Sequence, residues 1–591
     1  MSMSMSRQPI LMLSGLLVAW VATAAPLPAA APSVTGLFPP VVQAGQAAKI
    51  TVSGKDLGTI TRLVTAKGEL ETRSVNKTAV EIQVSQDSRP PGKFPELIDT
   101  WTLTSTGLSN PRAVLVVTHP VVVVAETPDE QVTPIPVPGT AASRLDRTAD
   151  RDVFSFTGRS GQLVHLVCRS RSLDGTVSPI LTVHDPGGRE LIHSRAHKAE
   201  PELALQLPAD GAYQVTVVDR GFQHDEGSIY ALTLETGPRL RATAPTAVSA
   251  DTDQLLLLGH KLPGGTMHPT TGLSSLKITP DRQRGQWSWP DRRPVGVLDD
   301  GFRVRLPGCS GTPWVNRSHT PIVAETIKQN DTASTAQVIT PPARICGVFE
   351  RSADIDWFAI DAKKGQTLEI TGWGERLGQS MRLQAIVHDK TGKTLATIGS
   401  PVAPKKIGFD FPFSTNDPHA NWTAPADGRF TIVVRDLLGG SIFGSGRVYQ
   451  LVIEPPRKRF RAFSVVGDGK THSGLTLAAG GQATLQIVVV RMGGSKSPIE
   501  VSAADLPEGV TVETTSIPAD KPVATITLKA TPKATTGVAP IRILAKHPGD
   551  QPVVEVLPLV HLTGPAPSSR TADALLLSVT PPAKKTSTPK K

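Results

Sequence analysis

The stretch SADIDWFAIDAKKGQ, residues 352–366, has a worn copy of itself in TADRDVFSFTGRSGQ, residues 148–162: six of fifteen positions are identical at a constant offset of 204. The likeness extends outward in the same order. Upstream, HPVVVVAET (119–127) answers HTPIVAET (319–326); downstream, VHDPGGREL (183–191) answers VHDKTGKTL (387–395). LPADGAYQVTVVDR (207–220) then matches APADGRFTIVVRD (424–436), and SIYALTLETGP (228–238) matches RVYQLVIEPP (447–456). Two homologous units therefore occupy 122–238 and 322–456.

Each unit carries β-branched or alternating runs such as TLEITGW, QVTVVD and TIVVRD, bounded by Asp-Pro-Gly-Gly, Asp-Gly and Lys-Thr-Gly turns. That is the signature of strands joined by tight turns. Phe154 and Phe358 are expected on the inward side of a strand, Gly161 and Gly365 in the turn that follows, and Gly211 and Gly428 in Asp-Gly turns where a positive φ is cheap. A chain of 591 residues with 51 Gly, 52 Pro and only 15 Phe, 8 Trp and 3 Tyr divides into about three to six domains and favours short strands over long helices, which Pro and Gly interrupt. The expectation is an all-β fold of tandem β-sandwiches.

The pattern Asp-x-Asp-x-Phe, Ala-Lys-Lys-Gly-Gln, His-Asp-x-x-Gly, Pro-Ala-Asp-Gly-x-Phe and Val-Tyr-x-Leu resembles the bacterial pre-peptidase C-terminal (PPC) domain, a jelly-roll-like sandwich appended to secreted proteases, collagenases and other large exported proteins. The second unit, with GERLGQ (374–379) and RDLLGG (435–440), is the better match; in the first, Arg151 and Val153 replace the more usual residues. PSVTGLFPPVVQAGQAAKITVSGKDLG (32–58) resembles the start of an immunoglobulin-like domain of the IPT/TIG type, and PRLRATAPTAVSADTDQLLLLGHKLPGG (238–265) resembles a degenerate second one. The region after the repeats is similar to immunoglobulin-like modules found behind PPC domains. The organisation expected is a signal peptide at 1–24, an IPT/TIG-like sandwich at 32–118, the first PPC-like domain at 122–238, a degenerate IPT/TIG-like module at 239–308, a linker at 309–321, the second PPC-like domain at 322–456, an immunoglobulin-like domain at 460–563 and a disordered basic tail at 564–591.

The N-terminus reads as an export signal: Arg7, then the apolar run Ile10 to Val21, then Ala22-Thr23-Ala24 as a small-x-small cleavage site. The apolar run is too short to span a bilayer, and LVVTHPVVVVA (115–125) is broken by His119-Pro120, so no transmembrane segment is expected after the signal. The chain is expected to be secreted, periplasmic or on the cell surface. Its three cysteines, Cys168, Cys309 and Cys346, allow at most one disulfide. Either Cys309 pairs with Cys346 or all three are buried thiols.

No Gly-x-Ser-x-Gly elbow, His-Glu-x-x-His or Walker-type loop occurs. His184 and His388 repeat beside Asp185 and Asp389, but such a pair without a nucleophile is expected to cap a turn. The function expected is therefore non-catalytic: binding, spacing or surface structure, with an accessory or substrate-targeting subunit of a secreted protease or other hydrolase as the alternative. In relatives of the PPC domain an N-terminal acidic segment and the aspartates before the Phe strand bind calcium. That resemblance implies Glu325, Asn330, Asp331, Asp354 and Asp356 as calcium ligands, oxygen donors suited to a hard cation; the alternative for them is solvated turn and strand-start residues. Lys328 stands where the family usually has an acid. The first unit offers only Glu126, Asp129, Asp150 and Asp152, without the Asn-Asp step.

A formal charge of +10 and basic clusters at PPRKRFR (455–461), DRRP (291–294) and the tail PPAKKTSTPKK suit an anionic partner. For an exported chain this means extracellular polysaccharide, a cell-surface polyanion or a matrix protein rather than nucleic acid. Trp287, Trp289 and Trp314 are candidates for stacking on carbohydrate, and Trp357 is expected in the core. Tyr230 and Tyr449 repeat at a strand position and give no sign of an aromatic binding face.

Overall fold

A computed structural model describes residues 31–68, 70–85, 96–124, 131–194, 200–249, 252, 254–267, 273–279, 287–288, 301–326, 329–379, 381–399, 417–439, 447–467, 473–549, 553–562 and 568–582. Among these the regular elements are strands, apart from three single 3-10 turns at Arg171–Leu173, Ala333–Thr335 and Glu375–Leu377. The chain is all-β and built of tandem sandwiches, and no helix among the described residues is long and apolar enough to cross a membrane.

The fourth sandwich, 322–454, holds the candidate site. One sheet runs, in spatial order, Ile322–Ala324, Ala343–Val348, Val448–Glu454, Thr367–Trp373 and His419–Thr423. The other runs Gln337–Val338, Ile355–Ala362, Gly428–Asp436, Leu383–His388 and Thr394–Ile398. Strand residues alternate sides, so Asp356, Phe358 and Ile360 turn inward, and the core closes around Phe358, Ile370, Ile432 and Tyr449. Gly365 and Gly428 adopt φ of 80° and 142° in the turns that lead into Thr367–Trp373 and Gly428–Asp436. The second sandwich, 121–236, repeats this strand order, including the two short entry strands that pair parallel with their neighbours. Phe154 and Tyr230 sit in its core.

The first (33–117) and third (239–317) sandwiches share a second plan. In each, an entry strand pairs antiparallel in one sheet, and the next short strand crosses to the other sheet and pairs parallel with the last strand. The segment 309–321 was expected as a linker, but Trp314–Arg317 pairs on both sides within the third sandwich. The fifth sandwich, 459–580, departs from expectation at its end. Ser568–Thr571 and Leu575–Thr580, expected in a disordered tail, complete its two sheets. Burial of Leu575, Leu577 and Val579 outweighs the Lys/Pro/Thr composition of the residues beyond.

Each sandwich touches the next, and the last touches the first. The Leu108 N–H donates to Thr476 Oγ1 at 2.9 Å and the Gly474 N–H to the Leu108 carbonyl at 2.9 Å, beside an apolar cluster of Trp101, Leu108 and Leu576. Arg570 is nearly buried and lies 2.9 Å from Asp99 of the first sandwich and 2.5 Å from Asp174 of the second. One guanidinium thus serves two buried carboxylates from two modules, which compensates charges that would be costly alone.

Candidate metal centre

The fourth sandwich brings all five expected residues to one end of the strand Ile355–Ala362. The entry strand Ile322–Ala324 delivers Glu325, whose Oε2 accepts the Val348 N–H at 2.7 Å while its Oε1 accepts Asn330 Nδ2 at 3.0 Å. The Asn330 carbonyl in turn accepts the Trp357 N–H at 2.8 Å, which lays the Asn-Asp step along the start of the strand. On the far side Ala353 takes a φ of 55°, and the turn it makes lets Asp354 accept the Glu350 N–H at 2.8 Å and the Ile355 N–H at 3.1 Å. Asp356 follows on the inward face, its Oδ2 accepting the Tyr449 hydroxyl at 2.7 Å.

What remains after this accounting is a set of oxygens. Asp331, Asp354 and Asp356 each present a carboxylate oxygen within 4.8 Å of the others', a separation of about twice a calcium–oxygen bond. Asn330 Oδ1, Asp331 Oδ1 and Asp356 Oδ1 are buried and have no hydrogen-bond partner; Asn330 and Asp356 are each 1% exposed. Unpaired buried acceptors are costly. Among the described residues the cation beside them is Arg351, 2.9 Å from Asp331 and 3.1 Å from Asp354, on a side chain that is itself more than half exposed. Burial, then the neighbouring Glu325 carboxylate, hold the Asp356 carboxyl far above the usual carboxylate range. Burial and the same acids push the Tyr449 hydroxyl up as well. The donor set is oxygen only, so the residues fit a hard cation such as calcium, which would supply the charge the cluster lacks.

The first repeat differs for a legible reason. Ser143 stands opposite Tyr230 where Gly347 stands opposite Tyr449, and its hydroxyl donates to Asp152 at 3.1 Å beside the bond from Tyr230. Burial raises Asp152 only to about 6, while Asp150 accepts the Asp146 and Arg151 N–H groups as Asp354 accepts their equivalents. Glu126, Asp129 and, in the second repeat, Lys328 lie outside the described residues.

The other candidates take structural positions. Asp185 accepts N–H bonds from Gly187 and Arg189, and Asp389 from Thr391 and Lys393, so both cap turns. The three cysteines are free thiols. Trp314, a stacking candidate, is buried against Trp373 and Leu377 and presents no open face; Trp287 begins a short strand, and Trp289 lies outside the described residues. Trp357, expected in the core, is instead partly exposed on the outer face of its sheet, because its neighbours Asp356 and Phe358 point inward. The features missed in the sequence were the hydroxyl bond from Tyr449 and the place of Gly347, whose added Cβ would come within 2.3 Å of the Tyr449 ring. The paired positions of Ser143 and Gly347 before each Asp-x-Asp step were the available signal.

The sequence matches no protein-family model and none of the curated proteins. Among solved structures, the chain is similar to the pre-peptidase C-terminal domain of a collagenase from Bacillus anthracis, at 17% identity over 18% of this chain and 99% of that one, with a TM-score of 0.15. It is also similar to tripeptidyl peptidase 2, at 8% identity over 94% of this chain and 40% of that one, with a TM-score of 0.14, so the chain spans about two fifths of that structure. The N-terminal eight immunoglobulin domains of Down syndrome cell adhesion molecule align at 10% identity over 90% of this chain and 74% of that one, with a TM-score of 0.14.

Proposed function

We propose that this chain is an exported, non-catalytic binding protein in which the second PPC-like sandwich is locked by a calcium ion held between Asn330, Asp331, Asp354 and Asp356, with Glu325 positioning Asn330. The observation that carries the metal reading is the trio Asp331, Asp354 and Asp356, whose carboxylate oxygens lie within 4.8 Å of one another beside buried acceptors of Asn330, Asp331 and Asp356 that lack a hydrogen bond. The ion joins the entry segment to the strand Ile355–Ala362 and binds only the folded form. The non-catalytic part is supported by the repeated aspartates Asp185 and Asp389, whose carboxylates cap turns. The contact between the first and fifth sandwiches favours binding over spacing, since a spacer gains nothing from folding back.

A ligand that binds only the native state adds RT ln(1 + [L]/Kd), about 2.7 kcal/mol at a hundredfold excess. Hydrogen exchange of residues 343–361 in the full chain should slow with calcium relative to chelator, and Asp356→Asn should abolish most of the difference. Equal exchange in both conditions rejects the metal; failure of the chain to retain any glycan, polyanion or matrix protein on an array rejects the binding role.

A further inference from the structure

The outer face of the same sheet is unlike that of its repeat. Strand register places Trp357 beside Val433 and Ile386 in one row, and Ile355 beside Arg435 and Gln384 in the next. The Trp357 ring reaches across the middle strand to stack on His388, with centroids 5.7 Å apart and planes 22° apart, while Val433 between them is 4% exposed. The imidazole therefore braces the part-exposed indole in a fixed orientation on this face. At its edge Arg435 Nε and Nη2 donate to Gln384 Oε1 at 2.9 and 2.6 Å, and no carboxylate pairs with this guanidinium among the described residues. An amide orients the group without neutralising it, leaving a planar donor suited to an incoming carboxylate. In the first repeat Val153 replaces Trp357 while His184 keeps the place of His388, so nothing in the fold itself demands the indole.

We propose that this face is a carbohydrate-binding platform for an anionic polysaccharide, with the Trp357 indole, braced by His388, as the stacking ring and Arg435 as the group that recognises a uronate carboxylate. A flat aromatic surface presents a negative π face to the C–H edge of a sugar ring, and the guanidinium beside it selects a sugar acid over a neutral sugar. The formal charge of +10 on the chain raises the local concentration of such a polyanion. The inference rests on the binding role proposed above but not on the metal, which lies on the inward side of the strand.

The test uses the full chain with chelator present and hexagalacturonate as the probe, with cellohexaose as the neutral control, read by tryptophan fluorescence and calorimetry. Wild type should bind hexagalacturonate in preference to cellohexaose. Trp357→Val, which installs the first repeat's residue, should weaken binding about tenfold or more, the scale of one lost stacking contact, with an unchanged melting curve. Arg435→Gln should erase the preference for the uronate. Unchanged affinity in Trp357→Val overturns the platform while leaving the binding role standing, and equal binding of both oligosaccharides overturns the uronate assignment. Absence of hexagalacturonate binding overturns the proposal, and the binding role falls with it only if the array is silent too.

Discussion

Acidification should loosen the junction between the second and third sandwiches, and two histidines set how far. His165, in the middle of the strand Leu163–Arg169, and His260, at the end of Leu255–His260, face each other with ring centroids 5.2 Å apart. His165 is 1% exposed, and neither of its ring nitrogens, nor Nε2 of His260, has a hydrogen-bond partner. The charged groups around them are Arg239, Arg241, Glu202 and, across the strand register, Glu235, with Arg239 bonded to Glu202 at 2.8 Å. Burial first, then Arg239 and His260, lowers His165 to about 4; burial and then Arg241 lower His260 to about 4. Both are depressed from 6.5, so the unfolded chain takes up protons first as pH falls. Stability is full above about pH 6.5 and is lost progressively down to about pH 4. For His165 the loss is about 2 kcal/mol by pH 5 and about 3 kcal/mol by pH 4. His260 is partly exposed and solvent screens it, which leaves roughly half as much. The assay is hydrogen exchange of 163–169 and 255–260 in the full chain at pH 7.5, 6 and 5, comparing wild type with His165→Leu, which keeps the volume and cannot titrate. The wild type should lose about 2 kcal/mol more protection than the variant between pH 7.5 and 5. Parallel losses would refute the reasoning.

Three further perturbations probe the frame. Arg570→Met leaves Asp99 and Asp174 buried without their shared cation and should cost about 3–5 kcal/mol, read as new protease cleavage where the first, second and fifth sandwiches meet. Gly347→Ala drives a Cβ against the Tyr449 ring and should destabilise the fourth sandwich by about 1–3 kcal/mol, seen as an earlier melt. Trp422→Ala removes a core ring set edge-on to Phe430 at 4.9 Å and should cost about 3–5 kcal/mol by the same measurement.

The repeat was legible because strand alternation and turn chemistry are local: Asp354, Asp356 and Phe358 face where a period of two puts them. Trp357 was misjudged against that same period, since residues adjacent in a strand cannot both point into one core. Trp314 was beyond local pattern, because what buries it is Trp373 from the next sandwich. The strands at 568–571 and 575–580 were hidden by a composition that belongs to the residues after them. The five oxygen-bearing residues were visible by resemblance, but the feature that makes them a site is the hydrogen bonds they do not make. Gly347 also lacks the hydroxyl that Ser143 adds on the Asp152 oxygen bonded by Tyr230, a difference whose meaning appears only once the strands are paired.

The contact between the first and fifth sandwiches has a mechanical consequence. In a string of independent modules, tension applied across the array extends the linkers first and reaches each fold only after slack is gone. Here the outermost modules are clamped to each other through Arg570, Asp99 and the Leu108–Thr476 bond, so a pull between them loads that clamp before any intervening module feels force. Rupture would release the whole contour of three sandwiches in one step, giving a single long extension at one threshold in place of a compliant, graded stretch.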